Sequence, residues 1–106
     1  MICVKVFSQA DGKVSGFSVT GHSGTADRGK DIVCAGVSSL AQTALLGIAE
    51  YLHREVDYDV ASGKLIVRLK SAPDDLTEAI MQTMLLGLRE IQKISPEAIH
   101  ISEQRR

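Results

Sequence analysis

The sequence predicts an α+β domain, with a mainly antiparallel sheet and two helices in the order β-β-α-β-β-α-β. Three observations lead to this fold class. Two pairs of segments alternate apolar and polar residues, and each pair is joined by a short turn that contains glycine, which predicts two hairpins. Two longer segments place apolar residues three and four positions apart, which predicts two helices. The length of 106 residues suits one domain, predicted to span residues 1–106.

The first hairpin is predicted near the start of the chain. Residues 1–8 alternate and form the outgoing strand, and residues 13–20 return after a turn at Asp11 and Gly12. Gly16 interrupts the returning strand and predicts a bulge or a twist there. The second strand therefore carries the chain to Gly21, where the alternation ends.

The first helix is predicted from about residue 32 to residue 52, where small and aliphatic residues recur at helical spacing. Asp31 precedes this pattern and is a candidate N-cap, so Cys34 is expected at the third helical position, in the first turn. The remaining predicted elements are strands at 56–59, 64–70 and 98–102 and a second helix that starts at 71–73 and ends before Pro96.

The second hairpin has one acidic arm and one basic arm. Asp57 and Asp59 lie on the first strand, and Lys64, Arg68 and Lys70 lie on the second. Opposite charges on neighbouring strands attract each other across a hairpin, so these residues are explained by cross-strand pairing without a ligand.

Charge and composition restrict the classes of function. The net charge is −1, so no overall positive field attracts nucleic acid, and direct nucleic-acid binding is not expected. The first residues lack the basic and apolar regions of a secretory signal, and no apolar run is expected to span a membrane. We therefore expect a cytoplasmic protein in which Cys3 and Cys34 are reduced thiols.

The stretch between Gly21 and Ser38 carries the chemistry that the sequence suggests. His22 lies where the second strand ends, and Cys34 lies where the first helix begins. A helix N-terminus and a neighbouring protonated histidine both favour the thiolate form of cysteine, which is the nucleophilic form. Spacing alone leaves a catalytic Cys34 and a buried structural Cys34 equally open.

Other residues of this stretch have more than one possible role. Asp31 either caps the helix or orients His22, and Ser38 lies one helical turn after Cys34, on the same side. A metal site built from Cys34, His22 and Asp27 or Asp31 is a competing interpretation, but its spacing matches no common ligand motif. No metal or other cofactor is therefore predicted.

The segment between the histidine and the cysteine is small, polar and rich in glycine, which predicts a mobile loop. It is either a plain surface connection or a loop that binds substrate. The residues that would serve a substrate loop are Ser23, Gly24, Asp27, Arg28, Gly29 and Lys30.

These residues together resemble the ribosomal-processing cysteine proteases. The resemblance rests on Gly21-His22, then Gly29, then the run Asp31-Ile32-Val33-Cys34-Ala35, then Ser38. Gln82-Thr83-Met84 in the second predicted helix is also similar to that family, as are the length and the order of elements.

The resemblance implies a specific activity. Members of that family remove a short N-terminal extension from a large-subunit ribosomal protein, and they act as homodimers. Cys34 would then be the nucleophile and His22 its general base and acid, with amides of the helix's first turn stabilising the oxyanion. The loop from Ser23 to Lys30 would move to admit the substrate.

Two other classes of function remain open at the level of the sequence. A ribosome-assembly binding module would dock a partner through the loop and would tolerate Cys34→Ser. A thiol redox sensor would oxidise readily and would need no histidine, whereas a protease of this design needs His22 as its base.

Overall fold

The computed structural model describes residues 1–21 and 28–105 of the chain, with side chains described for residues 1–21 and 32–105. Its elements follow the predicted order. They are β1 (Ile2–Ser8), β2 (Val14–Thr20), α1 (Arg28–Leu46), a π-helical turn (Gly47–Tyr51), β3 (Val56–Ala61), β4 (Lys64–Leu69), α2 (Asp75–Ile94) and β5 (Ile99–Arg105). The predicted α+β class is confirmed.

The five strands form one sheet in the order β3-β4-β2-β1-β5. Neighbouring strands are antiparallel except β1 and β5, which are parallel because α2 returns the chain to the far edge of the sheet. The sheet is therefore mainly antiparallel, as predicted. It places the end of β2 beside the start of β4, with Thr20 opposite Lys64.

Both helices pack on the same face of the sheet. Alternate residues of β1, namely Ile2, Val4 and Val6, are buried, and they belong to one core cluster with residues from α1 and α2. The helical members of this core are Val33, Val37, Ala41, Ala44, Ile48, Met81, Met84, Leu85 and Leu88. Among the small residues of α1, Ala41 and Ala44 lie in this core, where α1 meets the sheet and α2.

The start of α2 is fixed by a capping box. The Asp74 carboxylate accepts bonds from the backbone N–H groups of Leu76 and Thr77, at 3.0 and 2.9 Å, and the Thr77 hydroxyl bonds the Asp74 backbone. The Arg54 guanidinium also donates two bonds to Asp74, at 3.1 and 2.9 Å. The segment after the π-helical turn is thereby held to the start of α2.

The irregularity predicted at Gly16 lies beside it. The register of β1 and β2 shifts between Phe7 and Ser8, which pair with Gly16 and Val14, so Ser15 is the extra residue. A Cβ atom at Gly16 would lie 2.5 Å from the Val67 carbonyl oxygen, so glycine permits the close approach of β4.

The predicted start of α1 is wrong. The helix begins at Arg28, so Asp31 lies inside it and is not its N-cap. The helical spacing of apolar residues begins only where α1 reaches the core, and the preceding polar turn has no such signal. The predicted end of the last strand is also wrong. β5 continues beyond residue 102 to Arg105, because pairing with β1 stabilises these polar residues in an extended strand.

The expectation that no apolar run could span a membrane also needs correction. The segment Ile32–Tyr51, which covers most of α1 and the π-helical turn, is long and apolar enough by length and composition, with a mean hydropathy of 1.8. The core helix of a water-soluble protein meets the same criterion, and one side of this segment, including Val37 and Ile48, is buried in the core. The segment is therefore only weak evidence for a membrane span.

Candidate active site

Cys34 lies on the side of α1 that faces the sheet. Its side chain is half-buried and packs against the core cluster, and both Cys34 and Cys3 are thiols that form no disulfide. It is the seventh residue of α1 counted from Arg28, so it occupies the second turn of the helix. The expected position in the first turn is therefore wrong.

A cleft of about 160 Å³ opens at Cys34. Its walls come from α1, from the residue that follows β2, and from the tip of the β3–β4 hairpin. Cys34 and Ser38 lie one helical turn apart on one wall, with Gly21 on the second and Val60 and Lys64 on the third. The structure thus brings together three of the residues that the sequence singled out: Gly21, Cys34 and Ser38.

Gly21 joins the sheet to this cleft. Its backbone has φ = +94°, in the left-handed region that favours glycine, and its N–H donates a 2.9 Å bond to the Gly63 carbonyl oxygen. A Cβ atom at this position would collide with the carbonyl oxygen of Met1. Glycine is thus required both by conformation and by space at the point where the chain leaves β2 toward His22.

The other predicted site residues lie outside the part of the chain whose side chains are described. His22, Ser23, Gly24 and Asp27 lie outside the described residues. Arg28, Gly29, Lys30 and Asp31 form the beginning of α1, and only their backbone is described. The Cys34–His22 pair, the substrate-binding role of residues 23–30 and the steering role of Asp31 therefore remain predictions. The loop predicted as far as Lys30 is wrong over its last three residues, because Arg28, Gly29 and Lys30 are helical. Among the residues with described side chains, no group of three or more His, Cys, Asp or Glu could hold a metal ion.

The later position of Cys34 changes the expected oxyanion site. The first four N–H groups of a helix lack intrahelical partners, and in α1 these belong to residues 28–31 and not to the neighbourhood of residue 34. The helix dipole also acts mainly within the first turn. The unpaired first-turn amides therefore lie about one helical turn before Cys34 and not beside it along the chain.

The tip of the second hairpin is a part of the site that the sequence did not reveal. Val60, Ala61, Gly63 and Lys64 line the cleft although they lie far from Cys34 in the chain. Their proximity follows from the pairing of β4 with β2, which is a long-range contact that local periodicity cannot specify. The glycine turn was visible in the sequence, but its neighbour in the sheet was not.

The other two histidines lie away from this cleft. His53 adopts φ = +54° just after the π-helical turn, and His100 lies on β5, where it pairs in register with Cys3. Neither His100 nor Cys3 lines the cleft. Cys3 therefore provides a second thiol of this chain, also half-buried, against which the reactivity of Cys34 can be compared.

Comparison with known proteins decides the family. A family model described as "Cysteine protease Prp" matches residues 1–100. The chain belongs to this family. It is 30% identical over 105 residues to the ribosomal processing cysteine protease Prp of Staphylococcus aureus, which covers 96% of this chain and 98% of that relative. The chain is therefore a cysteine protease.

Two solved structures of S. aureus Prp match the fold closely. One is a complex with a covalently linked product peptide, at 28% identity and a TM-score of 0.88. The alignment covers 98% of this chain and 100% of the other. The second is a complex with a substrate peptide, at 27% identity and a TM-score of 0.89, with the same coverage.

Proposed function

We propose that this protease removes the N-terminal extension of a large-subunit ribosomal protein, with Cys34 as the nucleophile and His22 as the general base and acid. The observation that carries the proposal is the position of the Cys34 thiol in a cleft bordered by Gly21, the residue before His22. Support comes from the S. aureus relative, a ribosomal processing protease whose solved form holds a product peptide covalently.

The chemistry follows from these two side chains. The Cys34 thiolate attacks the carbonyl carbon of the scissile peptide bond and forms a tetrahedral intermediate. Protonated His22 gives its proton to the leaving amine as the C–N bond breaks, which leaves a thioester on Cys34. Neutral His22 then takes a proton from water, and the resulting attack hydrolyses the thioester and restores the thiol.

The remaining site residues have supporting roles in this proposal. Ser38 lies on the wall of the cleft beside Cys34, where its hydroxyl can bond the peptide backbone. Asp31, which lies inside α1 and does not cap it, is left with the alternative role of orienting His22. The segment from Ser23 to Lys30, whose last three residues form the beginning of α1, would admit the peptide, and backbone amides of that first turn would stabilise the oxyanion.

The proposed setting is the cytoplasm, where ribosomal proteins are made, without membrane contact or direct nucleic-acid binding. We also propose that the enzyme is a homodimer. An apolar groove of about 350 Å³ between α1 and α2, lined by Leu40, Ala44, Ile80 and Met84, supports a paired surface. Exposed Leu86 on α2 extends the apolar area.

The test is cleavage of a ribosomal protein that carries its N-terminal extension, followed by intact-mass analysis. Wild-type enzyme is expected to shorten this precursor at one site. Cys34→Ala should reduce the rate by at least about 10⁴-fold, because it removes the nucleophile. His22→Ala should reduce it by about 10²–10⁴-fold, because proton transfer is lost.

The matched control is Cys3→Ala, which removes the other half-buried thiol and should leave the cleavage rate unchanged. Circular dichroism and the melting temperature establish that each variant is folded. No shortening by folded, reduced wild type would overturn the proposal in favour of a binding module. Cleavage that survives Cys34→Ala but is lost in Cys3→Ala would show that Cys3 is the nucleophile and would overturn the proposed role of Cys34.

A further inference from the structure

Outside the catalytic pair, the open edge of β3 is the feature best suited to bind a ligand. Within the described residues, β3 pairs with β4 and with no other strand, so one of its sides is open. Exposed strand edges present unpaired backbone groups that bind other extended chains. We propose that the substrate peptide adds as a strand to this edge and that β3 thereby delivers the scissile bond to Cys34.

The register of the hairpin shows which backbone groups point outward. The N–H of Lys70 donates to the Glu55 carbonyl oxygen at 3.1 Å, so residue 55 faces β4. Residues of an antiparallel pair alternate between facing their partner and facing away. Val56, Tyr58 and Val60 therefore direct their N–H and C=O groups toward the open side.

The side chains of these outward residues suit a peptide partner. Tyr58 and Val60 are 63% and 58% exposed although they are large and apolar, and each lies beside a buried residue of β4. Asp57 and Asp59 point to the opposite face of the sheet. The edge thus presents apolar contacts on the same side as the helices and the cleft.

The charges that usually protect an edge strand are turned away or neutralised here. Asp59 pairs with Lys64 at 2.8 Å, and Asp57 pairs with Lys70 at 3.7 Å. The strand also contains no proline. Natural proteins block exposed edges with charge, proline or a bulge because such edges aggregate, so an unblocked apolar edge indicates a binding role.

The location of β3 beside the cleft indicates that the added strand is the substrate peptide. Val60 and Ala61, at the end of β3, line the cleft that contains Cys34, so the edge leads directly into the candidate active site. The six residues of β3 span roughly 17–20 Å, enough to pair with about five residues of an extended peptide. Strand addition gives affinity through the peptide backbone and selectivity through alternate side chains. The other edge, β5, contributes nothing to the cleft.

This inference rests on the proposed function, and the first experiment measures binding without turnover. Amide hydrogen exchange is followed by NMR in ¹⁵N-labelled Cys34→Ala, with and without a synthetic peptide that spans the precursor's cleavage site. We expect exchange to slow at least about tenfold at Tyr58 and Val60, with little change along β5. Protection confined to β5 or to the α1–α2 groove would overturn the inference. Concentration-dependent protection without peptide would also overturn it, because a second copy would then cover the edge.

The second experiment uses a substitution at the edge. Val60→Pro removes an outward N–H without removing a bond to β4, so the fold should be kept. It should raise KM for the precursor at least about tenfold with little change in kcat, whereas the matched control Val60→Thr keeps the N–H and should preserve KM. An unchanged KM in folded Val60→Pro, with wild type cleaving normally, would overturn strand addition and leave the proposed protease function intact.

Discussion

The two hairpins of this chain have the same local design but different surroundings. β1 and β2 lie inside the sheet, where alternate residues such as Val4 and Phe17 are completely buried under the helices. β3 lies at the edge, where most residues are exposed, including Tyr58 and Val60. The first hairpin is the scaffold that holds the site, and the second supplies a wall of the cleft and the proposed docking edge.

This difference separates stability from function within one sheet. Burial of apolar side chains stabilises the fold, so the first hairpin contributes most to the free energy of unfolding. An exposed apolar residue at an edge adds little to folding and is available to a ligand. Substitutions of buried residues in the first hairpin should therefore mainly lower the free energy of unfolding. Substitutions of exposed residues in β3 should mainly slow cleavage.

The largest difference is expected between Phe17→Ala and Tyr58→Ala. Phe17 is fully buried in β2, so its truncation leaves a cavity and should cost about 3–5 kcal/mol in the free energy of unfolding. Tyr58 is exposed, so its truncation should change that free energy by less than about 0.5 kcal/mol. Urea unfolding measures both, and similar losses in the two variants would contradict the division between the hairpins.

A second pair of variants tests the glycine that joins the scaffold to the site. Gly12 and Gly21 both have φ near +90°, but a Cβ atom at Gly12 meets nothing within 4 Å, whereas one at Gly21 collides with the Met1 carbonyl oxygen. Gly12→Ala measures the conformational strain alone, about 1 kcal/mol. Gly21→Ala should cost at least about 1–3 kcal/mol and should also slow cleavage.

The comparison of the two glycines needs both readouts. Urea unfolding gives the stability of each variant, and the cleavage rate is measured at a temperature where both are folded. Equal losses of stability at the two positions would show that the close approach of Met1 to Gly21 is unimportant. A normal cleavage rate in folded Gly21→Ala would show that cleavage does not depend on the backbone conformation of Gly21.

The smallest effect concerns the start of α2, which belongs with the scaffold. The bond from the Thr77 backbone N–H, together with the Arg54 guanidinium, holds the pKa of Asp74 below its ordinary value of 3.8. A lowered native pKa means that the unfolded chain binds the proton more tightly. The ionised carboxylate therefore stabilises the fold fully above the unfolded pKa, and this contribution is lost as pH falls through the native pKa.

Asp74→Asn isolates this charge, because asparagine is also a good N-cap. The wild type should be the more stable of the two at neutral pH, and the difference should shrink as pH falls below about 4. Urea unfolding at a series of pH values provides the measurement, and cleavage at neutral pH should be unchanged. A stability difference that stays constant down to pH 2 would contradict a role for ionised Asp74.

The fold was predictable because its signals are local. Alternation, glycine turns and helical periodicity located the elements, and the charge pairs Asp59–Lys64 and Asp57–Lys70 confirm the second hairpin. The start of α1 was missed because its first turn is polar and contains no apolar repeat.

The site was predictable only in part. Cys34, Gly21 and Ser38 were found from the sequence, and they do meet at one cleft. The wall formed by Val60 and Lys64 was not found, because it depends on which strands are neighbours in the sheet. Sequence patterns specify elements, whereas the pairing of β2 with β4 is decided by long-range packing.

The central claim is that Cys34, in the cleft between α1 and the β3–β4 tip, is the nucleophile. It is tested most directly with a peptide that spans the precursor's N-terminal extension up to the cut and ends in a chloromethyl ketone, which alkylates a nucleophilic thiol beside its binding site. Tandem mass spectrometry of the labelled enzyme should find one adduct per chain, on Cys34, with Cys3 unmodified and precursor cleavage lost in parallel. An adduct on Cys3, or full alkylation of Cys34 with cleavage retained, would contradict the account.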